Sequence, residues 1–174
     1  MVKSVVILNS VAAKNVDSLN KSGIYNGDAL QNGYVVAIGA KSTVAGQKDV
    51  YEVSLPATAN LENGDFFMVY EAPIPVVAGK YKGITDDPRE FEIPAGTVFS
   101  MFKPMKEDEV TITVDGIGGT KDSNTFVAPI DGTGKLNWTN NISGVSLAFK
   151  YEGDTYVSIG NERVAAYKFR VVKA

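Results

Sequence analysis

The chain has 174 residues, 17 Lys plus Arg against 20 Asp plus Glu, a formal net charge of -3, and neither His nor Cys. That inventory excludes Ser-His-Asp and Cys-His catalysis, Cys/His zinc sites and any disulfide framework. With 44% hydrophobic and 21% charged residues, the composition is that of an ordinary globular protein, long enough for one domain or two small ones.

The charge also bears on partners. Only Arg89, Arg163 and Arg170 offer the guanidinium fork that grips phosphate, and the pI is about 5.0; no nucleic-acid surface is expected. The apolar run at residues 5–8 (VVIL) is too short for a secretory signal core, and no stretch reaches the length of a membrane span. Synthesis in a cytoplasm with no membrane partner is the expectation.

In chain order, the residues after that N-terminal strand, 9–33, form the largest irregular stretch, rich in Asn, Ser, Lys and Gly. Such a stretch reads as a long irregular arm that becomes ordered on a partner, or as a mobile loop. Within it, Ser10 is placed to cap a helix over 11–19, weakened by Asn15. Asn-Gly pairs at 26–27, 32–33 and 63–64 predict turns. Two runs, 34–38 (YVVAI) and 66–70 (FFMVY), are apolar throughout and predict central strands covered on both faces.

The other strand candidates alternate with period two. Tyr51, Val53 and Leu55 share a face against Glu52 and Ser54, and Val110, Ile112 and Val114 share one against Thr111 and Thr113. Leu147, Phe149 and Tyr151 alternate with Ala148 and Lys150, and Tyr167, Phe169 and Val171 with Lys168 and Arg170. Residues 161–167 have helical propensity, but the alternation that follows favours a strand. The seven prolines fall between these runs or at their ends, where a missing N–H is tolerated. The prediction is an all-β protein, an antiparallel sandwich or barrel-like domain with an irregular N-terminal arm. Its parts are 1–33 (strand and arm), 34–105 and 106–174, the last two separated by the charged run 103–109 or forming one continuous domain.

No catalytic, cofactor or metal residues are assigned. Asp86 and Asp87 are the closest carboxylate pair, but they sit in a turn-rich loop where charged residues ordinarily meet solvent. Lys106, Glu107, Asp108 and Glu109 read the same way. The runs 115–119 (DGIGG) and 131–135 (DGTGK) lack the following helix of a phosphate loop and the spaced oxygen ligands of a calcium loop, and read as turns. Asn137 and Asn141 head glycosylation acceptor triplets, relevant only in a secretory pathway. Trp138, in a polar stretch, is either a contact for carbohydrate or protein or the closure of a β-core.

The phrases at 27–39 (GDALQNGYVVAIG), 49–53 (DVYEV), 64–73 (GDFFMVYEAP) and 93–100 (IPAGTVFS), with 108–116 (DEVTITVDG), 149–153 and 167–172 (YKFRVV), follow a familiar order. In this order the chain resembles the head decoration, or capsid cement, proteins of tailed phages of Gram-positive bacteria, from about residue 25 to the end. The resemblance implies a non-enzymatic structural protein that binds the outer capsid surface and reinforces it. Its partner would be the major capsid protein, with self-association possible in the family, and its place the virion after synthesis in the host bacterial cytoplasm. It would also make the 9–33 arm the part that orders on the shell. A carbohydrate- or host-surface-binding β-module of a phage fibre or adhesin is the alternative.

Overall fold

The computed structural model describes residues 2–72 and 87–174, together with the backbone of a two-residue pairing at 76–77 and 80–81. In chain order the strands are β1 (Val6–Ser10), β2 (Asn20–Ile24), β3 (Val35–Lys41), β4 (Val50–Ser54), β5 (Phe66–Val69), β6 (Val76–Val77) and β7 (Lys80–Tyr81). They continue as β8 (Val98–Phe102), β9 (Glu109–Thr113), β10 (Ile117–Gly118), β11 (Phe126–Ile130), β12 (Thr133–Thr139), β13 (Ala148–Ile159) and β14 (Glu162–Lys173). The only helical pieces among the described residues are single 3-10 turns, as expected of a chain punctuated so often by Gly and Pro.

The first half closes into a five-stranded barrel in the order β2-β4-β3-β5-β8. The second half, joined by β1, forms a seven-stranded sheet in the order β1-β9-β14-β13-β11-β12-β10. Pairing is antiparallel except for β2 with β4 and β10 with β12, which run parallel, so both sheets are mixed where an antiparallel architecture was expected. The seven-stranded sheet curls back on itself. β9 is second in the order and β10 last, yet only Val114–Gly116 separate them, and four residue steps reach on the order of 14 Å. Trp138 on β12 and Tyr167 on β14 also approach to 5.3 Å between ring centroids, although two strands lie between them.

The two apolar runs are central strands for a specific reason. Val36 and Phe67 point into the barrel with Val53, Val69, Phe99 and Met101. Their neighbours Val35, Ala37, Phe66 and Met68 point outward into a second core built with Ile112, Leu136, Phe149 and Phe169 of the large sheet. β3 and β5 are thus the wall between two cores, and period-two alternation is lost because both faces are buried. The chain does pass from barrel to sheet near residues 103–108, but the shared core makes the two halves continuous.

Residues 9–33 depart from the sequence expectation. Part of the stretch is irregular, but β2 lies inside it and is hydrogen-bonded on both sides, to β4 and to β8. The 11–19 helix is replaced by two 3-10 turns, Ala12–Lys14 and Asp17–Leu19. Val16 is extended between them (φ -132°, ψ 99°), and the Asn20 amide donates to the carbonyls of Ala13 (2.6 Å) and Val16 (3.3 Å). A side chain that satisfies these carbonyls removes the need for a continued helix. β9 also differs from the reading of its alternation, because Thr111 and Thr113 are buried. Thr113 Oγ1 accepts the Val5 N–H at 3.0 Å, and the Thr111 hydroxyl donates to Asn9 at 2.8 Å. The N-terminal segment covers the face that sequence alone leaves polar. Residues 162–167 are strand, within β14, with Asn161 in the turn before it. Of the three Asn-Gly pairs, only the one at 32–33 uses the left-handed region, with Gly33 at φ +83°.

Candidate functional site

The described carboxylates among those singled out in the sequence are engaged in ion pairs, caps or backbone hydrogen bonds. Asp86 lies outside the described residues. Asp87 caps the turn Pro88–Glu90, accepting the Arg89 backbone N–H at 2.9 Å and the Arg89 guanidinium at 2.6 Å. The Arg89 hydrogen bonds hold its carboxyl below the usual carboxylate range, and the guanidinium continues to Glu162 at 2.6 Å. Glu107 pairs with Arg170 and Glu109 with Lys168. Asp108 is buried and accepts two backbone N–H groups, from Ala12 and Met105. The Asp115 carbonyl accepts from Lys135, and Asp131 accepts from Thr58 N–H. Each glycine-rich run opens on a turn and continues into a strand, 115–116 into β10 and 131–132 into β12. Among the described residues no three His, Cys, Asp or Glu cluster to hold a metal.

Trp138 takes the core-closing place. It is half-buried and meets Tyr151 and Tyr167 edge-on, at 5.6 Å and 67° and at 5.3 Å and 79°, with Phe169 tilted at 5.7 Å. Edge-to-face contacts of this kind add to the area buried. Lys121 sits over the cluster, 4.2 Å from the Tyr151 ring centroid and 5.1 Å from that of Tyr167. Its ammonium donates to the Tyr151 hydroxyl at 2.7 Å and to Asp154 at 2.8 Å. The Asp154 hydrogen bond, then that of Tyr151, pushes the ammonium pKa up, and Lys121 in turn holds Asp154 low. Asn137 donates to the Lys135 carbonyl, and Asn141 caps its own turn at Ser143.

What the sequence did not reveal is an open cleft of about 960 Å³ on the outer wall of the barrel, where β2, β4 and β8 meet the turn after β1. Lys14, Lys21, Lys41, Tyr51, Tyr70 and Glu71 line it. Lys14 donates to the Leu8 carbonyl, and Lys41 contacts Asp49 at 3.3 Å while lying 5.6 Å from the Tyr51 ring centroid. Glu71 is occupied by backbone: it accepts the N–H groups of Ala72 (3.0 Å) and Ser100 (2.7 Å). Lys21 has neither an ion pair nor a hydrogen-bond partner for its side chain among the described residues. Three lysines thus gather on one surface of an acidic chain. They come from positions 14, 21 and 41, and no local spacing announces them.

Among the described residues no helix is long and apolar enough to cross a membrane. No protein-family model, curated protein or solved structure matches the chain.

Proposed function

We propose that this chain is a non-enzymatic virion structural protein that binds the outside of a phage capsid and stabilises it, with the major capsid protein as its partner. The observation that carries the reading is where the resembling phrases fall. Those at 27–39, 49–53, 64–73 and 93–100 run in order along β3, β4, β5 and β8 of one barrel, and those at 108–116, 149–153 and 167–172 along β9, β13 and β14. The likeness therefore falls on four of the five barrel strands and on three strands of the large sheet.

A rigid body with one shared core suits reinforcement, because many copies each adding a modest interface sum by avidity. Within 9–33, β2 has both edges already paired, so it has no free edge to add to a capsid sheet; Lys14 and Lys21 of the same segment line the cleft described above. The lysine-lined cleft is the surface we assign to the capsid. The test is co-sedimentation with shells of the encoding virus that lack this chain. Wild-type protein is expected to pellet with them, and the double variant Lys21→Glu/Lys41→Glu to lose most of that binding at unchanged melting temperature. Wild-type protein left in the supernatant would overturn the reading; equal binding by the variant would remove the cleft from it.

A further inference from the structure

We infer that the outer edge of β13 is a self-association surface, on which a second copy of this chain adds its own β13 antiparallel, with the two-fold axis at Tyr156. This goes beyond the capsid reading and does not depend on it. β13 and β14 form a twelve-residue hairpin closed by a two-residue turn, Gly160 with φ +56° and Asn161. Such a turn closes on a hydrogen-bonded pair, here Ile159 with Glu162, so Val157–Val164 and Thr155–Ala166 are also hydrogen-bonded pairs. The residues between them, Asp154, Tyr156 and Ser158, turn their backbone N–H and C=O away from β14. On that side β11 pairs only with Phe149 and Lys150, and the last contact is the Tyr151 N–H to the Thr125 carbonyl at 2.9 Å. From Gly153 to Ile159 the edge has no backbone partner among the described residues.

The two outermost strands of the large sheet have blunted edges. β1 carries a bulge between Leu8 and Ser10, and Lys14 donates to the Leu8 carbonyl; β10 is two residues long. The free span of β13 contains no Lys and no Pro, its one charge, Asp154, is paired with Lys121, and the bulge lies at its start, between Tyr151 and Gly153; unpaired charge, Pro and mid-strand bulges are what ordinarily keep an edge from pairing. Its side chains are self-complementary about Tyr156. Antiparallel pairing centred there sets Asp154 against Ser158 of the second copy, a carboxylate against a hydroxyl donor, and Thr155 against Val157. No like charges are opposed. Tyr156, 65% exposed, meets its own symmetry mate. The two rings extend the strip formed by Tyr151, Tyr167 and Trp138, which lies on the same face because the bulge after Tyr151 keeps Asp154 in register with Tyr167.

The chain has no cysteine, which makes the register directly testable. At the centre of such a pair the Cα atoms lie about 5.5 Å apart, within disulfide reach. The two copies of residue 154 lie roughly 14 Å apart along the strands. Expected results are a sedimentation-equilibrium mass twice 18.6 kDa at micromolar concentration, and a disulfide-linked dimer from Tyr156→Cys under mild oxidation but not from Asp154→Cys. Tyr156→Pro deletes only the outward N–H and should sediment as a monomer, with Tyr156→Lys, which opposes two ammonium groups, doing the same. A monomeric wild type overturns the proposal, including the case in which this edge takes a strand from another protein. So does a dimer that survives both substitutions, or one that cross-links through 154 and not 156.

Discussion

The carboxylate of Asp108 ties the start of the chain to the passage between barrel and sheet: one oxygen accepts the Ala12 N–H at 2.9 Å and the other the Met105 N–H at 2.8 Å. Both donors sit at turns that no strand ladder satisfies, and Asp108 is 5% exposed. Asp108→Ala leaves them without partners and is expected to cost about 2 kcal/mol. Asp108→Asn, which presents an amide N–H₂ to one of the two donors, should recover only part of that. Urea unfolding of the two variants against wild type measures it.

Phe149 on β13 and Phe169 on β14, diagonal neighbours whose register partners are Val171 and Tyr151, have no exposed surface and lie in the core shared by barrel and sheet. Phe149→Ala is expected to cost about 3–5 kcal/mol. Because the core is shared, the barrel and the sheet should unfold in one transition. Coincident fluorescence and far-UV dichroism curves would bear this out, and two separated transitions would contradict it.

Gly33 and Gly46 isolate two costs of the same substitution. Both have left-handed φ, +83° and +86°, but a Cβ on Gly33 would lie 2.6 Å from Val6 Cγ2, while one on Gly46 meets nothing. Gly46→Ala should cost only the conformational term, about 1 kcal/mol. Gly33→Ala should cost clearly more, since it also pushes β1 off the turn before β3. Paired thermal melts give the difference.

Asp154 is held below its reference value of 3.8 by the Lys121 hydrogen bond and then by that of Tyr151. A carboxyl lowered in the folded state contributes stability that is present above 3.8 and lost as the pH falls through the lowered folded value. The melting-temperature gap between wild type and Asp154→Asn should therefore be constant at pH values well above 3.8 and shrink as the pH falls below it through the lowered folded value. A gap that widens on acidification would contradict the assignment. The pair is solvent-exposed, so the gap should also narrow in high salt.

Limited proteolysis distinguishes a free arm from a built-in strand. Since β2 is paired on both sides, cleavage within 20–24 of the isolated protein should proceed no faster than global unfolding allows. Rapid cuts there in native buffer would contradict the barrel.

The strands were legible in the sequence because their cause is local. Tyr51 and Val53, Phe149 and Tyr151, and Phe169 and Val171 alternate because each strand buries one face, and the apolar runs at 34–38 and 66–70 mark strands with two buried faces. The burial of Thr111 and Thr113 could not be read, because the cover arrives from Val5 and Asn9, about a hundred residues away. The same holds for β2: Asn20–Ile24 is too polar to declare itself, and it is a strand because β4 and β8 offer it hydrogen bonds on both sides. The missing His and Cys removed whole classes of chemistry from the amino-acid inventory alone. The lysine-lined cleft and the open edge of β13 came from tertiary structure, since one assembles side chains distant in sequence and the other depends on where β11 stops pairing.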